Sequence, residues 1–394
     1  MVPVEEIVLK FGGKEKAILA KLLPKLLDAK FLLPLGSNLE SEHPRGFCGQ
    51  HDSVSLLVTL KCNLRCRHCS ANAGPDSQLA HPPLSDLICI LEKIISLNPR
   101  GIDITGGEPF FRADILELLR QTRSKYAGQI VVQTNATLIT KSLAKSIAEE
   151  NLVDSFDISL DGVDEASCAP IRGRGTFLGT IRGIRYLQDA GIKNIATSMV
   201  VTKDNYHLQP AFAKLNKDLG TNYMLRTFSP AGRGKEHREE FDIPLHQSVQ
   251  PMAQAYREKV EDAKQLDDEN YKRWLQIKSR TGLVAKMQCS AGLSTFSVMP
   301  NGDVFPCPVL IYPQFLMGNL LGADSFQAIM DRGANRQLVE SFQIDHRPGC
   351  HDCEVRYFCI GGCMGENHER TGDHLAPPQE CSRFRQDLSE LVWG

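Results

Sequence analysis

Short apolar runs alternate with longer amphipathic stretches between about residues 54 and 230. The short runs are rich in β-branched residues and predict buried strands, whereas apolar residues at three-to-four spacing in the longer stretches predict helices. The predicted strands are 54–60, 101–104, 130–133, 155–158, 195–201 and 223–227, and the predicted helices are 84–96, 113–124, 141–149, 176–189 and 208–219. Consecutive strand and helix units of this kind predict an α/β fold on a parallel sheet.

The pattern changes beyond residue 285, where cysteine, glycine and proline are frequent and the apolar runs are short. Asn301 and Gly302 stand between two such runs, and Asn-Gly in this setting predicts a tight hairpin turn. Residues 245–280 are charged and helical in pattern. We therefore predict an α/β domain over 48–235, a helical connection over 236–284 and a small cysteine-rich α+β domain over 285–394.

Composition narrows the class of protein. A chain of 394 residues with 42% apolar content can bury a core of barrel size and a second, smaller core. Its 45 basic and 47 acidic residues give a net charge of −2 without a basic run interleaved with aromatics, which argues against nucleic acid as a partner. The sequence has neither a long uncharged apolar stretch nor a secretion signal, so we expect a cytoplasmic protein with no membrane association. In that reducing compartment its thirteen cysteines predict metal ligands rather than disulfides.

Three cysteines follow the first predicted strand. Cys62, Cys66 and Cys69 are spaced by three and then two residues. Thiolates suit soft metals, and a cubane iron–sulfur cluster held by three cysteines keeps one iron free for another ligand. Zinc is the alternative, although structural zinc usually pairs cysteines two residues apart and takes a fourth ligand close by. An open coordination position predicts a site for chemistry.

This cysteine motif, with His68 just before its third cysteine, resembles that of radical S-adenosylmethionine (radical SAM) enzymes. After the second predicted strand, Gly106, Gly107, Glu108 and Pro109 resemble the family motif that binds the methionyl amino group of S-adenosylmethionine (SAM). In this interpretation the Glu108 carboxylate pairs with the ammonium group, and the glycines let backbone approach the ligand.

The resemblance implies that the three cysteines hold a catalytic [4Fe-4S] cluster. An electron from that cluster would cleave SAM to methionine and a 5′-deoxyadenosyl radical, which removes hydrogen from the substrate. The resemblance also implies the fold, a partial (β/α)6 TIM-like barrel, because six predicted units do not complete an eight-stranded one. Catalytic groups of such barrels lie on the loops after the strands, where the cysteines stand.

Further polar residues at predicted strand ends would contact SAM according to the resemblance. Asn135 follows the third strand, Ser159 and Asp161 follow the fourth, and Arg226 lies at the end of the sixth. His68 could stack on the adenine ring. The alternatives are turn formation for the first three residues, a structural ion pair for Arg226 and a solvent-facing loop position for His68.

Seven cysteines in the C-terminal region form a second pattern, which resembles the SPASM domain, a carrier of two auxiliary [4Fe-4S] clusters. The resemblance implies an outer cluster on Cys350, Cys353, Cys359 and Cys381 and an inner cluster on Cys289, Cys307 and Cys363. A zinc ribbon is the structural alternative, because four nearby cysteines also satisfy tetrahedral zinc.

The inner set has only three cysteines. Sulfatase maturases carry an extra cysteine there and an aspartate base after the cysteine that Cys307 resembles, where this chain has Pro308. Both departures argue against a sulfatase-maturing role. An inner cluster with an open iron resembles that of enzymes that build thioether crosslinks in ribosomal peptides, where a substrate thiolate takes the open position.

Of the other cysteines, Cys48 has no assigned role, Cys89 is expected to pack on a helix face, and Cys168 is expected in a loop on the catalytic face.

We therefore predict a radical SAM/SPASM enzyme that modifies a ribosomally synthesised peptide by a thioether or related crosslink. The expected partners are a precursor peptide and a flavodoxin- or ferredoxin-type reductant. One alternative is radical SAM modification of a small molecule or tetrapyrrole. The alternative from another class is a non-catalytic iron–sulfur or zinc protein, although an electron carrier would need no amino-acid site over 106–108.

The N-terminal residues 1–47 contain an amphipathic segment over 15–33, followed by a polar linker. Its apolar spacing predicts a helical cap on the barrel. By resemblance to other peptide-modifying enzymes, it is alternatively part of a leader-peptide-binding segment.

Overall fold

The computed structural model describes residues 53–77, 81–243 and 288–383, together with residues 385, 386 and 389. The predicted N-terminal cap or leader-binding segment over 1–47 lies outside these residues. So does most of the predicted helical connection over 236–284. Both stay predictions.

A nine-stranded sheet organises the described residues. Its strands are β1 (Ser53–Thr59), β2 (Gly101–Gly106), β3 (Gln129–Thr134), β4 (Ser155–Ser159), β5 (Ile195–Val201), β6 (Asn222–Thr227), β7 (Thr295–Val298), β8 (Asp303–Phe305) and β9 (Gly318–Asn319). The order across the sheet is β6-β5-β4-β3-β2-β1-β7-β8-β9, and β1 to β6 pair in parallel. Parallel neighbours need a crossover between each pair, which helices supply. The arrangement confirms the predicted partial (β/α)6 TIM-like barrel.

The crossovers carry the helices α1 (Leu84–Ile95), α2 (Ile115–Lys125), α3 (Lys141–Glu149), α4 (Glu165–Arg172), α5 (Thr176–Asp189) and α6 (Gln209–Leu219). The longer helices bury apolar residues at three-to-four spacing; in α1 these are Leu87, Ile90, Leu91 and Ile94. The buried apolar residues of α1, α2, α3 and α5 join apolar strand residues in one core, and Phe212 of α6 lies in a second apolar cluster. Burial of one such side chain is worth about 2 kcal/mol, so this face fixes the helix on the sheet. Among the described residues, no helix has the length and apolar character needed to cross a membrane.

The segment after β4 forms the helix α4, where the sequence pattern predicts a loop. The Ser167 N–H donates to Asp164 Oδ1 at 2.8 Å, and the Asp164 N–H donates to Ser167 Oγ at 3.2 Å. This capping box satisfies two backbone donors that would otherwise lack partners. It starts the helix even though Pro170 lies inside it. Because the helix is short and contains a proline, apolar periodicity does not predict it, although its capping box stabilises it.

The predicted hairpin at Asn301 and Gly302 is confirmed. β7 and β8 are antiparallel, and Gly302 takes a φ of +87°, which favours glycine. β7 also pairs in parallel with β1, so the C-terminal region continues the sheet of the barrel. The change of composition near residue 285 is therefore not a break in the sheet.

The short helices of the remaining described residues are α7 (Arg238–Phe241), α8 (Phe326–Met330), α9 (Gly333–Glu340), α10 (Arg356–Cys359) and α11 (Met364–Thr371).

Candidate active site

The loop after β1 carries the first three predicted cluster cysteines. Cys62 and Cys66 are buried, and Cys69 is partly exposed. The Cys62 N–H donates to the Gly74 carbonyl at 3.2 Å, which closes the loop. Burial, together with the nearby charges of Glu108 and the other two thiols, raises the pKa of the Cys62 thiol to about 12. The charges of Cys66 and Cys69 act on Cys62, so the three thiols lie close together, and a bound cation would keep the Cys62 thiol deprotonated at neutral pH.

Several N–H groups point at the cysteine sulfurs. Cys62 Sγ lies 3.4 Å from the Leu64 N–H nitrogen and 3.8 Å from Asn135 Nδ2. Cys66 Sγ lies 4.0 Å from Arg172 Nη1. Donors to sulfur stabilise the thiolate and are typical of iron–sulfur ligands, so this donor set fits a cluster. Within the described ranges, no group of three or more His, Cys, Asp or Glu side chains is arranged to hold a single metal ion.

A buried arginine after β6 clamps the cysteine loop. Arg233 Nε donates to the Cys66 carbonyl at 2.7 Å, and its two Nη atoms donate to Asn72 Oδ1 and the Ala73 carbonyl at 3.0 and 2.9 Å. Its backbone N–H donates to the Cys69 carbonyl at 3.0 Å. All four acceptors belong to the cysteine loop, so Arg233 binds that loop to the segment that follows the sixth strand. No local signal in the sequence marks this arginine, because its side-chain partners lie 160 to 167 residues away.

Gly106 and Gly107 lie where β2 ends against the base of the cysteine loop. A Cβ on Gly106 would lie 2.2 Å from the Thr59 carbonyl oxygen, and one on Gly107 would lie 2.2 Å from the Lys61 carbonyl oxygen. The N–H groups of Gly107 and Glu108 donate to the same two carbonyls at 2.7 and 2.9 Å. The glycines are therefore required for the close approach of two chain segments, in addition to any approach of a ligand.

Glu108 is fully buried, and its carboxylate is hydrogen-bonded within the protein. Oε1 accepts from the Phe110 N–H and from Thr134 Oγ1 at 3.1 and 2.7 Å, and Oε2 accepts from the Asn135 N–H at 2.8 Å. Burial raises the pKa of the Glu108 carboxyl to about 7 against the effect of these bonds. Glu108, followed by the buried Pro109, thus joins the end of β2 to the end of β3. An ammonium group could use only the remaining acceptor position on Oε2.

His68, Asp161 and Arg172 form a buried network beside the cysteine loop. His68 Nε2 and Arg172 Nε each lie 2.6 Å from Asp161 Oδ2, and the Val200 N–H donates to Oδ1 at 2.7 Å. Burial alone would raise the pKa of the Asp161 carboxyl, but Arg172 and His68 hold it below its usual range. The predicted alternative of a solvent-facing His68 is wrong, because its ring is buried against Asp161.

Arg226 pairs with Asp157 inside the barrel. Arg226 Nη2 lies 2.6 Å from Asp157 Oδ2, and Arg226 Nε lies 3.2 Å from Ser198 Oγ, which also contacts Asp157. For Arg226, the alternative to a SAM contact was a structural ion pair, and the pair with Asp157 is such an ion pair. Ser159 lies two residues beyond Asp157 on β4 and therefore on the same face of the strand.

The C-terminal cysteines fall into two groups according to which thiol charges act on which cysteine. The charges of Cys289 and Cys363 act on Cys307, and those of Cys350, Cys353 and Cys381 act within a second group that includes Cys359. In the first group, burial raises the pKa of Cys307 to about 12, and the charges of its two neighbours contribute. In the second, burial raises the pKa of Cys359 to about 11, with contributions from Cys381 and Cys350. The assignment of the first group to an inner cluster and of the second to an outer cluster stays a prediction.

Arg347 is buried beside both groups of cysteines. Its guanidinium donates to the carbonyls of Ile360, Gly361 and Ala376 at 2.8, 3.0 and 2.9 Å. Burial lowers the pKa of Arg347, and the negative charges of thiols from both groups oppose that change. A buried cation at this position favours anionic groups on the cysteines around it. Sequence reasoning missed Arg347, because an isolated arginine carries no local sign of burial.

The other cysteines lie apart from these groups or outside the described residues. Cys168 is fully buried in α4 and packs against Met199 in a separate apolar cluster, which agrees with a small core residue in a helix rather than a loop. The predicted packing of Cys89 is wrong, because it is exposed on α1. Cys89 lies two residues after the buried Leu87. Two residues of a helix correspond to a rotation of about 200°, so Cys89 faces away from the sheet. Cys48 lies outside the described residues.

Residues 56–212 match the Radical SAM superfamily, and residues 289–354 match SPASM, an iron–sulfur cluster-binding domain. The chain is 29% identical over 311 residues to the mycofactocin maturase MftC of Mycolicibacterium smegmatis, with 78% of this chain and 76% of that protein covered. It is 27% identical over 354 residues to the AdoMet-dependent heme synthase of Nitratidesulfovibrio vulgaris, with 84% and 91% covered.

The fold is similar to that of native anSMEcpe with bound AdoMet and Kp18Cys peptide. The TM-score is 0.68 at 18% identity, and the match covers 86% of this chain and 97% of that one. At this level of identity the similarity concerns the fold alone. It extends over the barrel and the cysteine-rich region together.

Proposed function

We propose that this chain, which is a radical SAM enzyme with a SPASM iron–sulfur domain, modifies a ribosomally made precursor peptide by forming a thioether or a related crosslink. The observation that supports the proposal is that the charges of Cys289 and Cys363 act on Cys307, whereas those of Cys350 and Cys381 act on Cys359, in line with the sets of three and four cysteines that the resemblance implies. Four cysteines complete the ligands of a cubane cluster, whereas three leave one iron for another ligand. A thiolate of the substrate suits that position.

The chain uses SAM, a [4Fe-4S] cluster at the barrel and auxiliary iron–sulfur clusters in the SPASM domain. When bound, these cofactors supply the reductive cleavage of SAM and the carbon radical that takes hydrogen from the substrate. We propose that the barrel cluster is held by Cys62, Cys66 and Cys69. The residues proposed to contact SAM are His68, Gly106, Gly107, Glu108, Pro109, Asn135, Ser159 and Asp161.

The protein's own contribution at the barrel site is to fix the cysteine loop and to exclude water. Arg233 binds the loop to the segment that follows the sixth strand. Asn135 directs an N–H at Cys62 Sγ, and Arg172 directs one at Cys66 Sγ. Donors that are already in place need no reorganisation when the charge on the sulfurs changes. Burial of two of the three cysteines keeps water away from the reacting groups.

Tetrapyrrole modification is the second candidate function. The alignment with the heme synthase covers 84% of this chain, against 78% for the maturase. The charge of the barrel interior favours the peptide. In the described residues its charged lining consists of Asp103, Asp157 and Arg226, and Arg226 is already paired with Asp157. When a tetrapyrrole with several carboxylates leaves water, cations must compensate for the lost hydration of those carboxylates. Among the described residues, Arg226 is the one cation in the lining of this interior.

A peptide that contains cysteine should perturb the spectrum of the inner auxiliary cluster. The test uses the variant in which Cys62, Cys66 and Cys69 are alanine, so that only the auxiliary clusters contribute. Any short peptide encoded beside the gene should change the electron paramagnetic resonance spectrum, because its thiolate binds iron more tightly than a hydroxyl group does. The same peptide with serine in place of cysteine is the control. Equal spectra with both peptides would contradict the thioether assignment.

A further inference from the structure

A cavity of about 500 Å³ lies inside the barrel, on the side of the candidate active site that faces the beginnings of the strands. All six barrel strands and β7 contribute to its walls. Pro308, the residue after Cys307, also lines it. The cavity therefore reaches from the barrel strands to the neighbourhood of the inner cysteine set. It has room for one or two side chains of a peptide.

The register of β4 relates this cavity to the proposed SAM contacts. Alternate residues of a strand face the same side, so Ser155, Asp157 and Ser159 share one face. Ser155 and Asp157 line the cavity. Ser159, proposed to contact SAM, lies about 7 Å further along the strand. A side chain that enters the cavity would therefore lie on the same face of β4 as Ser159, the proposed SAM contact.

The charges in the cavity are unbalanced. Asp157 and Arg226 neutralise each other at 2.6 Å. Asp103 accepts hydrogen bonds from Ser53 and from Ser55 Oγ, the second at 3.4 Å. The charge of Arg226 also acts on it, but in the described part of the chain no lysine, arginine or histidine forms an ion pair with it. Burial raises the pKa of the Asp103 carboxyl to about 6, against the effect of hydrogen bonds from Ser53 and Ser55. Above that pH the carboxylate is charged and partly buried, and among the described residues it belongs to no ion pair.

We propose that Asp103 binds an ammonium group of the substrate and so selects a peptide with a lysine side chain or a free amino terminus near the reacting carbon. The inference rests on the proposed function and adds the chemical class of the group that the cavity takes. An ammonium group supplies the missing positive charge and several N–H donors. A carboxylate in the same place would face Asp103 at close range and be repelled.

The substitution that tests this proposal should not disturb folding. Asp103→Asn keeps the shape of the side chain and removes its charge. Because the carboxylate holds no ion pair within the described residues, the variant should be as stable as the wild type or more stable above pH 6. Asp218→Asn is the matched control, since Asp218 lies on α6 and, among the residues the structure describes, forms its ion pair with the exposed Lys214.

The experiment compares two probe peptides, acetyl-Gly-Lys-Gly-amide and the same peptide with glutamine in place of lysine. Their dissociation constants are measured by nuclear magnetic resonance on the reconstituted full chain with SAM bound. The wild type and Asp218→Asn should bind the lysine peptide about tenfold more tightly than the glutamine peptide. Asp103→Asn should bind the two equally. Equal binding by the wild type, or a preference that survives in Asp103→Asn, would overturn the assignment.

SAM cleavage under dithionite is measured in the same three preparations. If all three cleave SAM and none prefers the lysine peptide, the Asp103 assignment fails and the proposed function stands. If none cleaves SAM, the proposed function fails whatever the binding ratio.

Discussion

Replacement of Cys62, Cys66 and Cys69 together by alanine should abolish SAM cleavage and lower the iron content from about twelve to about eight atoms per chain. The three thiols are near neighbours on one closed loop. The C-terminal cysteines form two other groups, which should keep their clusters. Iron is measured on anaerobically reconstituted protein, and SAM cleavage is measured as 5′-deoxyadenosine formed under dithionite.

Cys89→Ala is the control for this variant, because Cys89 is exposed on α1 and belongs to none of the three groups. It should keep about twelve iron atoms and full SAM cleavage. Continued formation of 5′-deoxyadenosine by the triple variant would show that this loop is not the catalytic centre. Stoichiometric zinc in the wild-type protein would contradict the assignment of the auxiliary clusters.

Arg233→Ala should lower the free energy of unfolding by about 3 kcal/mol or more and weaken retention of the barrel cluster. The buried guanidinium supplies three hydrogen bonds to the cysteine loop. Its removal leaves those acceptors buried without donors, at a cost of about 1 to 3 kcal/mol each. The measurements are urea unfolding of the metal-free chain and the rate of iron loss from the reconstituted protein.

Two further variants separate the clamp from a general effect of charge. Arg233→Lys should have a free energy of unfolding and a rate of iron loss between those of Arg233→Ala and the wild type, because a single ammonium group lacks the planar fork of the guanidinium and reaches fewer of the acceptors. Arg238→Ala should have little effect, since Arg238 is partly exposed and lies 3.8 Å from Asp242. If Arg233→Ala unfolds like the wild type and keeps its iron, the clamp does not position the loop.

The strands and most helices of the barrel could be predicted from sequence because they depend on local periodicity. β5, α3 and α5 have the predicted bounds, and the other barrel strands differ by one or two residues at an end. The helix α4 was not predictable in this way, because its signal is one capping box and its interior contains Pro170. The predicted packing of Cys89 was wrong because a shift of one position on a helix is enough to turn a side chain from the sheet to the solvent.

The cysteine motifs could be predicted because spacing along the chain is the property that defines them. The arginines around them could not. Arg233 reaches acceptors 160 to 167 residues away, and Arg347 binds carbonyls 13 to 29 residues away. Such partners meet only in the folded chain. The same holds for Glu108, whose motif is visible in the sequence but whose hydrogen bonds to β3 are not.

The most direct test of the central claim is the mass of a peptide made together with this enzyme. Any short peptide encoded beside the gene is expressed with the wild-type enzyme and with the variant that lacks Cys62, Cys66 and Cys69, and both products are analysed by mass spectrometry. We expect the wild-type product to lose the mass of two hydrogen atoms per crosslink, at its cysteine, and the variant product to be unchanged. An unchanged peptide from an active enzyme that instead consumes a carboxylated tetrapyrrole would contradict it.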